Sequence, residues 1–196
     1  MIKQLPFPNK KYQIIYADPP WSYKNKKVFG KFKNKNGYID GGCLSKYSTM
    51  DLIDICNLPI RDISDKNAIL FLWTTTPFLE DCFKVVSAWG FKFKTALYWR
   101  KIMSLGMGFW FRGQVEILIV AIKGKVKAFH SQKPNFIQTR ALRHSEKPDE
   151  FRKLIEEVTN EYPDKIELFA RQQADGWDVW GNEELKELYR QLELIK

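Results

Sequence analysis

An open α/β sheet covered by helices on both faces is the architecture this sequence predicts, and three observations carry it. Short apolar runs rich in Ile, Leu, Val and aromatic residues, such as Tyr12–Ala17, Ala68–Trp73 and Val115–Ile122, read as buried strands. Stretches with apolar residues at helical spacing stand between or after them. Proline and glycine punctuate the joins, and strands alternating with helices favour a sheet over a bundle or a sandwich.

The elements follow in order. Tyr12–Ala17 is stopped by Pro19-Pro20, because proline has no N–H for a sheet ladder. Residues 22–46 read as an irregular loop in which Lys24, Lys26, Lys27, Lys31, Lys33 and Lys35 alternate with Tyr23, Phe29, Phe32 and Tyr38. Basic and aromatic residues mixed in this way suit phosphates and unstacked bases, and a solvated loop is the plain alternative. After Ala68–Trp73, Thr76-Pro77 reads as an N-cap with proline in the first turn. Phe78, Leu79, Cys82, Phe83, Val86 and Trp89 then share a helical face, and Gly90 ends it.

Phe93–Tyr98 and Val115–Ile122 are the next strand candidates. Between them lies 103–114, with three glycines, Trp110 and Arg112, which is either a hinged base-facing loop or a tight connection. Ser145 is a candidate cap for a helix that starts near Pro148 and carries Phe151, Leu154, Ile155 and Val158. Ile166–Ala170 and Asp178–Trp180 close the sheet. Residues 183–196 place Leu185, Leu188, Tyr189, Leu192 and Ile195 on one face of a final helix, packed on its own domain or on another subunit.

Composition bounds the answer further. A chain of 196 residues with 44% hydrophobic residues fits one domain, 1–196. The absence of a signal-like start or a long apolar run predicts a cytoplasmic protein away from the membrane. Cys43, Cys56 and Cys82 show no metal-type spacing, and His130 and His144 are too few for a histidine site, so no metal is expected. The net charge of +9 favours an anionic partner, nucleic acid first.

The most informative residues are Asp18-Pro19-Pro20-Trp21, at the C-terminal end of the first strand. That edge is where ligands bind in open α/β sheets. A carboxylate and a proline carbonyl can accept both hydrogens of an amino group, while an indole holds the plane of the ring bearing it. An ordinary loop has the same composition, so the residues alone leave both readings open.

Asp-Pro-Pro-Trp after such a strand resembles the catalytic motif of S-adenosylmethionine-dependent methyltransferases acting on adenine N6. The chain is similar to the family of the messenger-RNA adenosine methyltransferase catalytic subunit, the MT-A type, which also has bacterial and phage members. Tyr47-Ser48-Thr49-Met50, Phe71-Leu72-Trp73, Ala88-Trp89-Gly90-Phe91, the run from His144 to Glu150 and the run from Lys165 to Arg171 match in the family's order, over residues 12 to 184. The resemblance implies a Rossmann-like fold with a mixed, mostly parallel sheet. It also implies the circularly permuted β-type order, with the catalytic half first and the cofactor half last.

It implies roles too. Asp18 and the Pro19 carbonyl would accept the adenine amino group, Pro20 would shape the turn, and Trp21 would stack on the extruded base. Tyr47 would line the adenine pocket, unless it is a core tyrosine at a strand end. Trp110 and Glu116 resemble the second substrate segment, although Gly113 stands where many relatives have asparagine. By the charge of the 22–46 loop, and not by resemblance, Lys24, Lys26 and Lys27 would meet the nucleic acid. Asp18, Lys147, Phe169, Arg171, Asn182 and Glu183 would contact S-adenosylmethionine, with Asn182-Glu183 alternatively capping the final helix. The cofactor follows from resemblance alone, because no strand is followed by Gly-x-Gly-x-x-Gly.

The expected reaction is therefore methyl transfer to adenine N6, with DNA preferred because the chain is compact. RNA, cytosine N4, and an inactive nucleic-acid-binding subunit of a methyltransferase complex stand as alternatives. A homodimer or a partner subunit is compatible with all of them.

Overall fold

The computed structural model describes residues 6–22, 32–34, 37–39, 49–102, 110–131, 133–140, 146–170 and 173–181, with the backbone alone for 32–34 and 37–39. Seven strands form one sheet: β1 (Tyr12–Ala17), β4 (Ser64–Thr75), β5 (Lys92–Ile102), β6 (Val115–Lys123), β7 (Phe136–Arg140), β8 (Lys165–Leu168) and β9 (Asp178–Trp180). Their order across the sheet is β7-β5-β6-β4-β1-β8-β9. The pairings β1–β4, β1–β8, β8–β9 and β5–β7 are parallel, and β4–β6 and β5–β6 are antiparallel. The sheet is thus mixed and mostly parallel, in the Rossmann-like arrangement. The first strand lies between β4 and β8, so the start and the late part of the chain share one edge, as the permuted order requires.

Side-chain alternation explains why the central strands read as continuous apolar runs. Ile15 and Ala17 of β1, Leu70 and Leu72 of β4, and Ile119 and Ala121 of β6 face one core. Helices α1 (Leu52–Cys56), α2 (Ile60–Ile63) and α3 (Leu79–Ala88) cover it, contributing Ile55, Ile60, Cys82, Val85 and Val86. Ile14, Tyr16, Phe71, Trp73, Leu118 and Val120 face the opposite core, covered by Phe151 and Ile155 of α4 (Asp149–Val158). With both faces buried, these strands must be apolar at most positions, Thr74 of β4 being a buried polar exception.

Several boundaries move. β4 starts at Ser64, before the apolar run, because Ser64 already pairs with Tyr12 of β1, although the pairing with β6 begins only at Ala68. β5 runs on to Ile102, since its alternating exposed face carries Arg100 and other charges that hide a strand from an apolar scan. Thr76-Pro77 does not cap α3: Thr76–Phe78 form a short 3-10 turn, Thr75 precedes it, and no side-chain cap bond is made. Gly90 ends α3 at φ 85°, as its position predicts.

The strand expected over Ile166–Ala170 stops at Leu168, because Phe169 turns to φ 63°. Within the loop expected over 22–46, β2 (Phe32–Asn34) and β3 (Gly37–Ile39) form an antiparallel hairpin. The Ser145 cap and the final helix over 183–196 lie outside the described residues.

Candidate active site

The site is built where β1 ends. The Pro19 carbonyl accepts the Trp21 N–H at 2.9 Å, and the Pro20 carbonyl accepts the Met50 N–H at 2.9 Å. A carbonyl has two lone pairs, so Pro19 keeps one for a further donor. Trp21 is fixed by its neighbours on β4 and beyond. Its Nε1 donates to the Trp73 carbonyl at 3.1 Å, and its ring stacks on Phe78 with centroids 5.6 Å apart and planes 17° apart. One indole face is thereby taken, and the ring plane is set by the fold.

Lys147, 129 residues along the chain, comes to Asp18: its Nζ lies 2.6 Å from Asp18 Oδ2. Glu116 Oε2 is 3.4 Å from the same ammonium group, and Lys101 donates to Glu116 Oε1. Glu116 stands near the start of β6, opposite Thr75 of β4 and Trp99 of β5. The Lys147 ammonium also lies 5.3 Å from the centroid of Trp73, whose Nε1 donates to the Tyr16 hydroxyl at 2.7 Å.

Burial works against the charged form of Lys147, but the Asp18 and Glu116 carboxylates outweigh it and hold the pKa above the ordinary lysine value. Glu116 shows the converse balance. Burial alone would raise its pKa, and Lys147 and Lys101 pull it below the ordinary carboxylate value. Both groups are charged near neutral pH. Asp18 Oδ1 makes no hydrogen bond among the described residues, which leaves an acceptor on the carboxylate that Lys147 already orients.

The turn after β8 lies beside this one, since Ala17 pairs with Leu168. Phe169 takes a left-handed conformation that is uncommon for a bulky residue. Its ring meets Trp180 edge-on at 5.6 Å, and the Ala170 N–H reaches the Trp180 carbonyl at 3.3 Å. Gly181 is required there: a Cβ would sit 2.5 Å from the Ala170 carbonyl oxygen. Beneath the turn, Arg152 Nη2 meets Glu167 Oε2 at 2.6 Å. Burial raises the Glu167 pKa to about 7 against the opposing pull of Arg152, with the Asp18 charge adding to the rise.

The structure thus gathers Asp18, Pro19, Pro20, Trp21, Glu116 and Lys147 at one sheet edge and places Phe169 in the turn that follows the neighbouring strand β8. Trp110 stands apart, 93% exposed, beside an equally open Phe111. Tyr47, Lys24, Lys26, Lys27, Arg171, Asn182 and Glu183 lie outside the described residues. Sequence reasoning missed Lys101, Tyr16, Phe78 and the Arg152–Glu167 pair as neighbours of the site. The spacing of Trp99 and Lys101 on one strand face was the only available signal for Lys101. Among the described residues no group of three or more His, Cys, Asp or Glu could hold a metal, and no helix is long and apolar enough to cross a membrane.

Residues 12–183 match the family model described as MT-A70. The chain belongs to the MT-A70 family. Among its relatives is the Type II methyltransferase M.MunI of Mycoplasma sp, 37% identical over 188 residues, which cover 90% of this chain and 79% of that protein. A putative N(6)-adenosine-methyltransferase MT-A70-like of Medicago truncatula is 26% identical over 182 residues, covering 88% of this chain and 26% of the plant protein. The N(6)-adenine-specific methyltransferase METTL4 of Homo sapiens is 27% identical over 203 residues, covering 90% and 38% respectively. The chain spans most of the mycoplasma relative and well under half of the other two. This MT-A70 chain is therefore a member of a methyltransferase family with N6-adenine enzymes among its relatives.

Proposed function

We propose that the protein transfers a methyl group from S-adenosylmethionine to the N6 amino group of adenine in DNA. The observation that carries this reading is the Asp18–Lys147 contact of 2.6 Å, with Trp21 locked beside it. It sets an oriented carboxylate and a fixed aromatic plane at the end of β1.

The residues present fit the methyl donor. Lys147 offers an ammonium group to a carboxylate, Asp18 and Glu116 supply negative charge near a sulfonium, and the left-handed turn at Phe169 brings backbone close to the same edge. When bound, S-adenosylmethionine supplies an electrophilic methyl group. Phe169, Arg171, Asn182 and Glu183 would hold its ribose and methionine portions, and Lys147 its carboxylate.

The chain's own part is to present the amino group. Asp18 Oδ1 and the remaining Pro19 lone pair accept its two hydrogens, which turns the nitrogen lone pair out of conjugation with the ring. Trp21 holds the base plane once the base has left the stack. With both partners held in line, positioning provides most of the acceleration. The amino nitrogen would take the methyl group, with the donor leaving as a neutral thioether, and the surplus amino proton would leave along the hydrogen bond to Asp18. Tyr47 and Trp110 would complete the base pocket and its mouth, and Lys24, Lys26 and Lys27 would meet phosphates.

DNA is the first reading because the relative named Type II methyltransferase M.MunI is 37% identical and covered over 79% of its length, whereas the plant relative named for adenosine is 26% identical and covered over 26%. A specific observation favours RNA as the second reading: a relative in Pyricularia oryzae, 26% identical, is named N6-methyladenosine RNA methyltransferase MTA1. Methyl transfer from labelled donor to matched single-stranded and duplex DNA and RNA, followed by mass spectrometry of the nucleosides, tests both. N6-methyldeoxyadenosine as the main product supports the proposal, and N6-methyladenosine alone replaces DNA by RNA. N4-methylcytosine would move the reaction to another base. Cofactor binding without any product would favour a nucleic-acid-binding subunit that needs a partner.

A further inference from the structure

Two ammonium groups and two carboxylates alternate along the site: Lys101 at the end of β5, Glu116 near the start of β6, Lys147 before α4, and Asp18 after β1. Lys101 donates to Glu116 Oε1, while Lys147 lies 3.4 Å from Glu116 Oε2 and 2.6 Å from Asp18 Oδ2. Lys147 therefore stands between two carboxylates that compete for it. Attraction rises as distance falls, so the shorter contact favours Asp18. The Lys101 charge on the far oxygen of Glu116 offsets most of the rival pull.

Both lysines rest on a rigid aromatic floor. Lys101 lies 4.7 Å from the centroid of Trp99, and Lys147 lies 5.3 Å from that of Trp73. The two indoles meet edge to face at 6.2 Å. Each is pinned by its own N–H, Trp99 to Thr139 Oγ1 at 2.9 Å and Trp73 to the Tyr16 hydroxyl at 2.7 Å. The Lys101 backbone N–H donates to the Gln114 carbonyl at 2.8 Å, which fixes its strand next to Glu116.

We propose that Lys101 is a positioning residue for methyl transfer: by holding Glu116 it keeps the Lys147 ammonium on Asp18, and so fixes the carboxylate that receives the substrate amino group. The inference rests on the proposed role of Asp18. With the Lys101 charge removed, Glu116 keeps a single cation nearby and draws Lys147 away, and the Asp18 carboxylate loses its orientation. Lys101 acts through two other side chains and needs no contact with substrate.

Steady-state methyl transfer by the full chain tests this, with Lys101→Met, Glu116→Gln and the double variant compared at saturating S-adenosylmethionine and varied nucleic acid. Lys101→Met is expected to lower kcat about tenfold, within the range of coupling between contacting residues. The nucleic-acid KM and its salt dependence should stay as in the unaltered protein. In the Glu116→Gln background the same change should lower kcat less than about twofold, because the rival carboxylate is already neutral. Should Lys101→Met fail to fold, Lys101→Gln carries the same test.

Equal losses in both backgrounds would overturn the proposal. So would a loss confined to KM with a flatter salt dependence, the signature of a phosphate contact. Active unaltered protein with an unaffected Lys101→Met variant removes this inference alone. Unaltered protein inactive on every nucleic acid removes the proposed function beneath it.

Discussion

Replacing Lys147 with methionine keeps the length of the side chain and removes one charge from between Asp18 and Glu116. The side chain is 12% exposed, Glu116 is 13% exposed and Asp18 is 27% exposed, so the site is largely but not fully shielded from water. Breaking a fully buried pair by removing one partner costs about 3–5 kcal/mol. Water at Asp18 screens part of that, and Lys101 still serves Glu116, which brings the expectation to about 2 kcal/mol. For a chain of this size that lowers Tm by about 4–8 °C.

The loss has a pH signature. The folded pKa of Glu116 is lowered, so its stabilisation is present above the unfolded carboxylate pKa and fades as pH falls through the folded value. The folded pKa of Lys147 is raised, so its stabilisation is present below the ordinary lysine pKa and fades as pH rises through the folded value. The Tm difference between the two proteins should therefore be full from about pH 5 to pH 10 and shrink beyond either end. Differential scanning fluorimetry across pH 3.5 to pH 11 reads it directly. A variant as stable as the unaltered protein at pH 7, or a difference that grows on acidification, would refute the charge balance assigned to this cluster.

Other outcomes follow from the same structure. Glu167→Gln should flatten the pH dependence of stability: a carboxylate raised to about 7 stabilises the fold at acid pH, and that contribution fades as pH rises through 7. From the ordinary 4.5 up to 7 the difference is about 3 kcal/mol at most, and chemical denaturation at pH 5 and pH 8 measures it. Neutralising Lys24, Lys26 and Lys27 together should weaken nucleic-acid binding and reduce its logarithmic salt slope by about 2–3, with cofactor affinity unchanged. Fluorescence anisotropy at several salt concentrations reads that slope. Trp21→Ala should lower kcat on nucleic acid about a hundredfold, the scale on which displaced positioning residues act. Isothermal titration should show cofactor affinity preserved, because Trp21 stacks on Phe78 and donates to the Trp73 carbonyl on the β4 side of β1, whereas Phe169 follows β8 on the other side.

The central sheet was legible because burial on both faces forces continuous apolar runs. β1, β6 and β9 stand close to where those runs place them. β7 was hidden because its exposed and half-buried positions alternate, so no apolar run marks it. Helices α1 and α2 are too short to show a period, and β5 extends through Arg100, which faces water, and Lys101, whose charge no apolar scan would count.

In the site, Asp18 to Trp21 announced themselves by the proline stop, and Lys147 and Glu116 by resemblance to a family. The meeting of Lys147 with Asp18 was not legible, since a separation of 129 residues is closed only by threading β1 between β4 and β8. Lys101 was invisible for a related reason. Its partner Glu116 lies on the neighbouring antiparallel strand, and strand register cannot be read from either run alone.

The most direct test of the account is methyl transfer by the intact protein and by Asp18→Ala, with labelled S-adenosylmethionine, adenine-containing DNA and RNA, and identification of the product nucleosides. The account predicts N6-methylated adenine from the intact protein, chiefly in DNA, and none above background from Asp18→Ala although it still folds. Equal product from both proteins would contradict the role given to Asp18 and, with it, the site built around the end of β1.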